Sequence, residues 1–272
     1  MEKGKRERLK ALAERLQGMQ IPTHAANAGY FIAMSVFPAT VLILSVLRYT
    51  SLDTRDLMKL LGGFLPEALL PSAERFIIST YAHTSTAVVS VSAVGALWSA
   101  SRGVYGLLTG LNAIYEVREN RGYLYTRLMS MFYTLLFVAV LVLTLVLNLF
   151  GEALVQTLSY MDSPVARFFS EIVDLRFLLM LLLQTGLFTA MFMGLPNRKN
   201  SFRESLPGAV LASLGWLGFT VLFSWYVTSF SGYSSVYGSV YAVALSMLWL
   251  YFVLSILFYG GALNKLLMEQ PD

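Results

Sequence analysis

Sixty consecutive residues of this chain, from Ser205 to Asn264, contain no Asp, Glu, Lys or Arg. A helix needs roughly 20 apolar residues to cross a hydrocarbon core about 30 Å thick, so this stretch is too long for one crossing and suits two. The segment from Thr228 to Ser239 in its middle is rich in Ser, Gly and Tyr and supplies a turn. The sequence therefore predicts an integral membrane protein whose last two helices form a hairpin.

The composition supports lipid as the main solvent. Of the 272 residues, 56% are hydrophobic and only 13% are charged, whereas soluble domains carry about a quarter charged residues. The chain has no cysteine, and its two histidines, His24 and His83, lie far apart. These counts exclude a disulfide scaffold, a zinc ribbon, a thiol nucleophile and a HExxH-type metal pair. We expect no cofactor and no bound metal.

Apolar runs elsewhere bring the predicted number of transmembrane helices to six. They cover, approximately, residues 28–47, 86–112, 127–150, 176–196, 206–228 and 238–264. These runs are continuous, whereas the strands of a membrane barrel alternate apolar and polar residues, and an open sheet would leave backbone groups unpaired in lipid. The predicted fold class is all-α, a polytopic membrane helix bundle formed by residues 25–272.

Lys and Arg residues divide unevenly between the two sides of the membrane that this topology defines. Thirteen lie on the side of the N-terminus, the second-to-third loop, the fourth-to-fifth loop and Lys265, and six lie on the other side. Positive charge collects in cytoplasmic loops, so we expect both termini in the cytoplasm. The first apolar stretch is too long for the h-region of a cleavable signal peptide, and we interpret it as a signal anchor.

Three further segments predict amphipathic helices. The first, residues 1–24, is basic and would lie on the cytoplasmic membrane surface, where anionic lipid headgroups would attract it. Alternatively, this segment is an ordinary positively charged flank of the first span. Five apolar residues share one face of that helix: Leu9, Leu12, Ala13, Leu16 and Met19. Two short external helices within residues 48–85, and one at residues 162–177, would rest at the interface or form a lid.

Small residues recur on one face of the second span at spacings of three and four: Ser92, Gly95, Ser99, Gly103, Gly106 and Gly110. Such stripes let membrane helices approach closely, so we interpret this one as a packing surface and place the second helix at the centre of the bundle. Pro38 is expected to kink the first helix. Pro207 and Gly208 are expected to open the fifth helix, where a proline is tolerated.

The second span also carries a charged residue, Arg102, beside the small-residue stripe. On insertion scales, placing an arginine at the centre of the membrane costs roughly 2.5–3.5 kcal/mol, so such a residue usually has an interaction partner or a functional role. Two interpretations stand. Arg102 snorkels to the cytoplasmic interface as an anchor, or it points into a cytoplasm-facing cavity and binds an anionic group such as a phosphate through its guanidinium fork.

Polar residues on several spans are candidates to line such a cavity. An Asn or Gln within a span is more often an interhelix hydrogen bond than a ligand site, and Glu116 is the natural partner of a nearby basic residue. The candidate cavity residues are Arg102, Ser99, Asn112, Glu116, Asn27, Ser35, Gln184 and Asn264, with Asn148 as a further polar position.

Five stretches in order along the chain carry a family resemblance: Ala25–Leu44, Leu97–Glu116, Ser205–Trp216, Val236–Leu254 and Gly260–Asn264. With them the chain resembles the YihY/BrkB family of bacterial inner-membrane proteins, once labelled ribonuclease BN. The resemblance implies six membrane helices and cytoplasmic termini, and implies little about activity. Suggested roles of the family's members include lipid or solute translocation and resistance to host killing. This sequence has Ala262 where the family commonly has a glutamate, so no role of that carboxylate is carried over.

Two classes of function remain open on the sequence. The first is a translocator of lipids or anionic amphiphilic solutes through a polar cavity around the second helix, although no inverted repeat is evident. The second is a membrane scaffold or assembly factor that transports nothing. A ribonuclease is disfavoured because its carboxylates would have to cluster around metal ions, whereas those of this chain are scattered in loops. No Walker-type loop is present, so we do not expect the chain to hydrolyse ATP itself. We expect membrane lipids as partners and no nucleic acid, and the sequence defines no oligomeric state.

Overall fold

The structure of the chain, a computed structural model, describes residues 13–36, 38–41, 85–159, 176–229 and 234–269, together with residues 7, 10, 74, 75 and 77–79. Its helices are α1 (Ile21–Met34), α2 (Thr86–Ile114), α3 (Tyr123–Ser159), α4 (Arg176–Gly194), α5 (Phe202–Ser229) and α6 (Ser234–Met268), and residues 13–18 are helical as well. The described ranges contain no β-strand, which confirms the all-α fold class. The external segments 48–85 and 162–177 fall largely outside the described residues.

Four of these helices are long and apolar enough to cross a membrane. They are Tyr123–Thr144 of α3, Phe177–Gly194 of α4, Phe202–Val227 of α5 and Val243–Met268 of α6. Helix α2 has 29 residues, but its small residues and Arg102 make it less apolar, and α1 has 14 residues. The structure thus has the helices of a polytopic membrane protein, and six crossings stay a prediction.

The helices form a closed ring in sequence order. Each packs against the next, α6 packs against α1, and α2 also contacts α6 across the ring. Large apolar side chains fill the middle, and Leu108, Leu111, Phe188, Phe192 and Phe258 are each at most 1% exposed. The middle of the bundle is therefore packed with side chains, and any site for a ligand lies between neighbouring helices or at one end of the bundle.

Helix α5 begins at Phe202, before the predicted start at residue 206, because a capping box precedes it. The Ser201 backbone N–H donates to Glu204 Oε2 at 2.7 Å, and the Glu204 N–H donates to Ser201 Oγ at 3.4 Å. Pro207 consequently lies inside α5. The expectation that Pro207 and Gly208 open this helix was wrong, since the cap adds a turn that counting apolar residues does not reveal.

Proline also accounts for the bounds of α1. Gln20 has a left-handed backbone with φ 46°, and a proline follows in the first turn, so the helix starts at Ile21. A proline ring obstructs the carbonyl four residues earlier. For Pro38 that carbonyl belongs to Met34, where α1 ends. Ser35 forms a turn, and residues 36 and 38–41 are helical again.

The glycines of the α2 stripe differ in what they contact. A Cβ at Gly103 would meet the Ile32 side chain, and one at Gly106 would lie 3.0 Å from Ala28 Cα. A Cβ at Gly110 would lie 2.5 Å from the Phe258 ring, whereas one at Gly95 would meet nothing within 4 Å. The half of α2 nearer its C-terminus therefore packs closely on α1 and α6, and Gly95 faces open space.

These two kinds of glycine give a matched test of close packing. Gly106→Leu should destabilise the protein by about 1–3 kcal/mol or more, because the added atoms overlap the backbone of α1. Gly95→Leu adds the same side chain to the same helix in open space and should be neutral or slightly stabilising. Thermal unfolding in detergent, followed by circular dichroism, measures both, and equal unfolding temperatures would contradict this packing.

Candidate functional site

Polar side chains gather at one end of the ring, which we call the charged end and define as residues 112–122, 195–201 and 264–269. Glu119 is at its centre. Arg121 donates to both oxygens of this carboxylate: its Nε lies 2.8 Å from Oε1, and its Nη2 lies 2.6 Å from Oε2. Asn112 Nδ2 donates to Glu119 Oε2 at 2.8 Å. The fork geometry makes this one of the stronger pairs that a protein can form.

The same network joins the two loops. The Asn197 backbone N–H donates to Asn112 Oδ1 at 2.7 Å, and Arg121 Nη2 donates to the Leu195 carbonyl at 2.8 Å. Asn197 Nδ2 donates to the Arg118 carbonyl at 2.8 Å. Asn112 at the end of α2 is only 5% exposed, so the loop that follows α4 is tied to a buried point of the core.

Hydrogen bonds also set the charge state of Glu119. Those from the Arg121 side chain, followed by those from the Arg121 backbone and from Asn112, lower the pKa of Glu119 to about 2, against the opposing effect of partial burial. The carboxylate is therefore ionised at any physiological pH. Its charge neutralises Arg121. Arg198 and Lys199 form no salt bridge with another described residue, although Arg198 lies near enough to the Glu204 carboxylate to interact with it electrostatically.

A cleft of about 600 Å³ opens beside this network, between the first turns of α3 and the last turns of α4. Arg121, Arg198 and Lys199 line it on the loop side, and it has a second, largely apolar wall. That wall includes Tyr125, Met129, Tyr133, Ala190 and Met193. A cleft with cations at one side and apolar side chains at the other suits a ligand that is itself anionic and apolar.

An apolar groove of about 390 Å³ borders the cleft and lies between the same two helices. Ala190 lines both spaces. The other residues of the groove are Leu136, Val140, Leu179, Leu182, Leu183, Gly186 and Leu187. We call the cleft and the groove together the α3–α4 seam.

Tyr133 crosses the seam where the cleft meets the groove. Its hydroxyl donates to the Ala190 carbonyl at 2.9 Å, and a Cβ at Gly194 would overlap that hydroxyl. The glycine therefore makes room for the tyrosine at the end of α4. Tyr133 holds α3 and α4 together at this level, one helical turn before the groove begins.

Asn264 satisfies backbone groups on both sides of Pro207. Proline has no N–H, so it interrupts the hydrogen bonds of α5. Asn264 Oδ1 accepts from the Gly208 N–H at 2.6 Å, and its Nδ2 donates to the Ser205 carbonyl at 3.1 Å. A Cβ at Gly208 would overlap the Gly260 carbonyl oxygen, so the two helices approach closely enough for Asn264, fully buried, to reach across.

Glu116 belongs to a chain of charges at the same end. Lys265 Nζ lies 2.6 Å from Glu116 Oε1 and 3.7 Å from Glu269 Oε1, and Arg15 Nη1 lies 3.1 Å from Glu269 Oε2. The Lys265 side chain is 7% exposed. The chain links the helical residues 13–18, the end of α2 and the end of α6.

Arg102 lies apart from the charged end. Its side chain is exposed, and its Cζ is 5.7 Å from the centre of the Phe31 ring. Asn112 is ten residues further along α2, a distance of about 15 Å along the helix axis. A second arginine, Arg127, is 2% exposed; its guanidinium lies 4.3 Å from the Trp98 ring centre and donates to the Trp98 carbonyl.

The other predicted cavity residues are dispersed. Asn27 is exposed, Ser99 and Gln184 are half-buried, and Ser35 is buried with its Oγ donating to the Ile32 carbonyl at 2.6 Å. The Asn148 side chain lies outside the described residues. Ser92 of the packing stripe is half-buried. Of the predicted set, the structure brings Asn112, Glu116 and Asn264 to the charged end, but in three separate contacts.

The residues of the cleft itself were missed on the sequence. Arg121, Arg198 and Lys199 were used only as positive charges that orient the protein, and Glu119 and Asn197 were not singled out. The available signal was that two loops on one side, residues 117–121 and 196–200, each combine Asn with basic residues. Their convergence depends on how α2, α3 and α4 pack.

A family model described as virulence factor BrkB matches residues 12–272 of the chain. The chain belongs to the BrkB family. This confirms the resemblance drawn from the sequence motifs and identifies a membrane protein of that family. No solved structure matches the chain.

Curated relatives of this BrkB-family protein are similar over most of its length. A putative ribonuclease-like protein YfkH of Bacillus subtilis is 31% identical over 267 residues, which are 97% of each chain. A UPF0761 membrane protein of Rhodospirillum centenum is 26% identical over 97% of this chain and 62% of its own length. A UPF0761 membrane protein of Vibrio vulnificus is 24% identical over 95% of this chain and 82% of its own length.

Replacing Asn264 should destabilise the BrkB-family protein strongly. Asn264→Leu leaves the Gly208 N–H and the Ser205 carbonyl buried without their side-chain partner, at about 1–3 kcal/mol for each group. Asn27→Leu is the control, because Asn27 is exposed. Thermal unfolding in detergent compares them. A small and equal effect of the two substitutions would show that Pro207 needs no support from α6.

Glu119 should make stability depend on acid pH. A carboxyl whose folded pKa is lowered stabilises the fold above its unfolded pKa of about 4.3, and this contribution is lost as pH falls toward the folded pKa of about 2. Glu119→Gln should cost about 1 kcal/mol at neutral pH, given the partial exposure of the pair, and should flatten the profile below pH ~4.3. Glu14→Gln, in the exposed helical segment, is the charge-matched control. An unchanged profile would rule out this role.

Proposed function

We propose that this BrkB-family protein is a translocator of lipids or other anionic amphiphiles. The observation that carries the proposal is the cleft at the charged end, which joins two exposed cations to an apolar wall between two helices. A simple packing defect between helices would be apolar throughout. A small inorganic anion has no apolar surface to place against the apolar wall.

The charges of the cleft favour an anionic group. Arg121 is neutralised by Glu119, but Arg198 and Lys199 have no ion-pair partner among the described residues. A guanidinium presents its donors in a fork that matches a phosphate or carboxylate, and the lysine adds a point charge. These two residues are therefore the headgroup contacts in the proposal.

The proposal places the charged end in the cytoplasm and the protein in the bacterial inner membrane, because positive loops stay on the cytoplasmic side. The cleft would then receive its ligand from the inner leaflet. Arg102, about 15 Å along α2 from Asn112, is a second basic position that a headgroup could use between the two surfaces. Its exposure and the absence of an ion pair among the described residues fit that role.

Nuclease activity has less support. The relative of Bacillus subtilis is named ribonuclease-like. Metal-dependent hydrolysis of nucleic acid needs clustered ligands, and no three His, Cys, Asp or Glu side chains are grouped to hold a metal in the part of the chain that the structure describes. A scaffold without transport activity stays the second candidate.

The proposal predicts transbilayer movement of a fluorescent phosphatidylglycerol in liposomes that contain the purified protein. Replacing both Arg198 and Lys199 by Gln should slow this movement at least about tenfold, since loss of a charge-assisted contact of about 1.4 kcal/mol already has that effect. Arg203→Gln removes an exposed positive charge outside the cleft and should leave the rate unchanged. Arg102→Ala tests the second basic position separately.

The outcomes separate the candidate functions. Movement no faster than in protein-free liposomes would reject lipid translocation and favour the scaffold. Movement that is equally fast in the Arg198→Gln/Lys199→Gln variant would reject the cleft as its path. An effect of Arg102→Ala without loss of folded protein would extend the path along α2, whereas loss of folded protein that Arg102→Lys restores would make Arg102 an anchor.

A further inference from the structure

The groove of the α3–α4 seam is lined by apolar residues and lies next to the cationic cleft, with which it shares Ala190. Leucine side chains from both helices line it, and it carries no charged residue. Leu182 is 60% exposed on one rim. Because α3 and α4 are long and apolar enough to cross a membrane, this surface faces acyl chains, and the groove is accessible from the bilayer.

The length of the groove matches one leaflet. From Ala190 to Leu179 it follows eleven residues of α4, which span about 16 Å at 1.5 Å per residue. Half of a hydrocarbon core is about 15 Å. The cleft with its cations lies at the end of α4 that borders the loop, which is where a headgroup would be if an acyl chain lay in the groove.

Gly186 lines the groove and is exposed. A Cβ at this position would meet nothing within 4 Å, so no neighbouring backbone requires a glycine there. At Gly106 and Gly208, in contrast, the glycine lets two helices touch. The space beside Gly186 is therefore free to receive part of a ligand that lies in the groove.

We propose that the α3–α4 seam binds an anionic lipid with its headgroup in the cleft, near Arg198 and Lys199, and an acyl chain in the groove beside Gly186. This inference rests on the proposed function for its location and adds the substrate class: a lipid whose chain stays in the bilayer, as opposed to a water-soluble anion. Tyr133, which bridges to Ala190 at the junction, marks the depth at which headgroup and chain separate.

The test measures binding and not transport. Native mass spectrometry of the delipidated full-length protein in detergent gives the affinity for three probes. They are long-chain phosphatidylglycerol, phosphatidylcholine with the same chains, and glycerol 3-phosphate, which has the charge but no chain. The wild type should bind phosphatidylglycerol at least about tenfold more tightly than either other probe, because only this lipid supplies both the net charge and the apolar area.

Gly186→Leu fills the groove and should weaken phosphatidylglycerol binding about tenfold, since the new side chain occupies the space of several methylene groups of the lipid. Its binding of glycerol 3-phosphate should not change. Gly218→Leu is the matched control, because Gly218 also lies in a membrane-spanning helix with open space at its Cβ. Both variants should unfold at the same temperature.

Three results would contradict the proposal that the α3–α4 seam binds an anionic lipid. These are unchanged phosphatidylglycerol binding in Gly186→Leu, an equal loss in Gly218→Leu, or wild-type binding of glycerol 3-phosphate as tight as that of the lipid. If Gly186→Leu abolishes specific binding and the protein causes no transbilayer movement in liposomes, lipid binding at the seam is supported and the proposed translocation is rejected. The two proposals can therefore fail independently.

Discussion

Close contact between helix backbones is the constraint on which this ring depends. Lipid tails are as apolar as the helix surfaces, so helices in a membrane associate through van der Waals contact and interhelical hydrogen bonds. Gly106 provides that contact between α2 and α1, and Gly208 with Gly260 provides it between α5 and α6. Gly186 of α4 has no such neighbour, and it lines the groove between α3 and α4.

The charged end has a fixed part and a free part. Glu119 is saturated by Arg121 and Asn112, and its network ties the two loops to the core. This rigid support positions Arg198 and Lys199 at the mouth of the cleft without consuming their charge. A recognition site needs both properties, since a cation that is paired internally cannot bind a ligand and one on an unsupported loop would have to be ordered on binding.

The helical fold could be predicted because lipid permits so few alternatives. Long runs without charge have to be helices, and all six described helices overlap the predicted ranges. The start of α5 could not be predicted by counting apolar residues, since it depends on two polar residues, Ser201 and Glu204. The partners of Asn264 are 56 and 59 residues away, and Asn112 is 85 residues from Asn197. No local pattern indicates such pairs, or which glycines are packed and which are open.

The contacts of α6 have a consequence for how the protein is made. A chain leaves the ribosome from its N-terminus, and early segments begin to fold before late ones exist. Phe258 packs at Gly110 of α2, Asn264 completes the hydrogen bonds around Pro207, and Lys265 pairs with Glu116. Of the six helices, the one that is synthesised latest, α6, therefore closes the ring. Until α6 is in place, the Gly208 N–H, the Ser205 carbonyl and the Glu116 carboxylate lack the side-chain partners that they have in the folded protein.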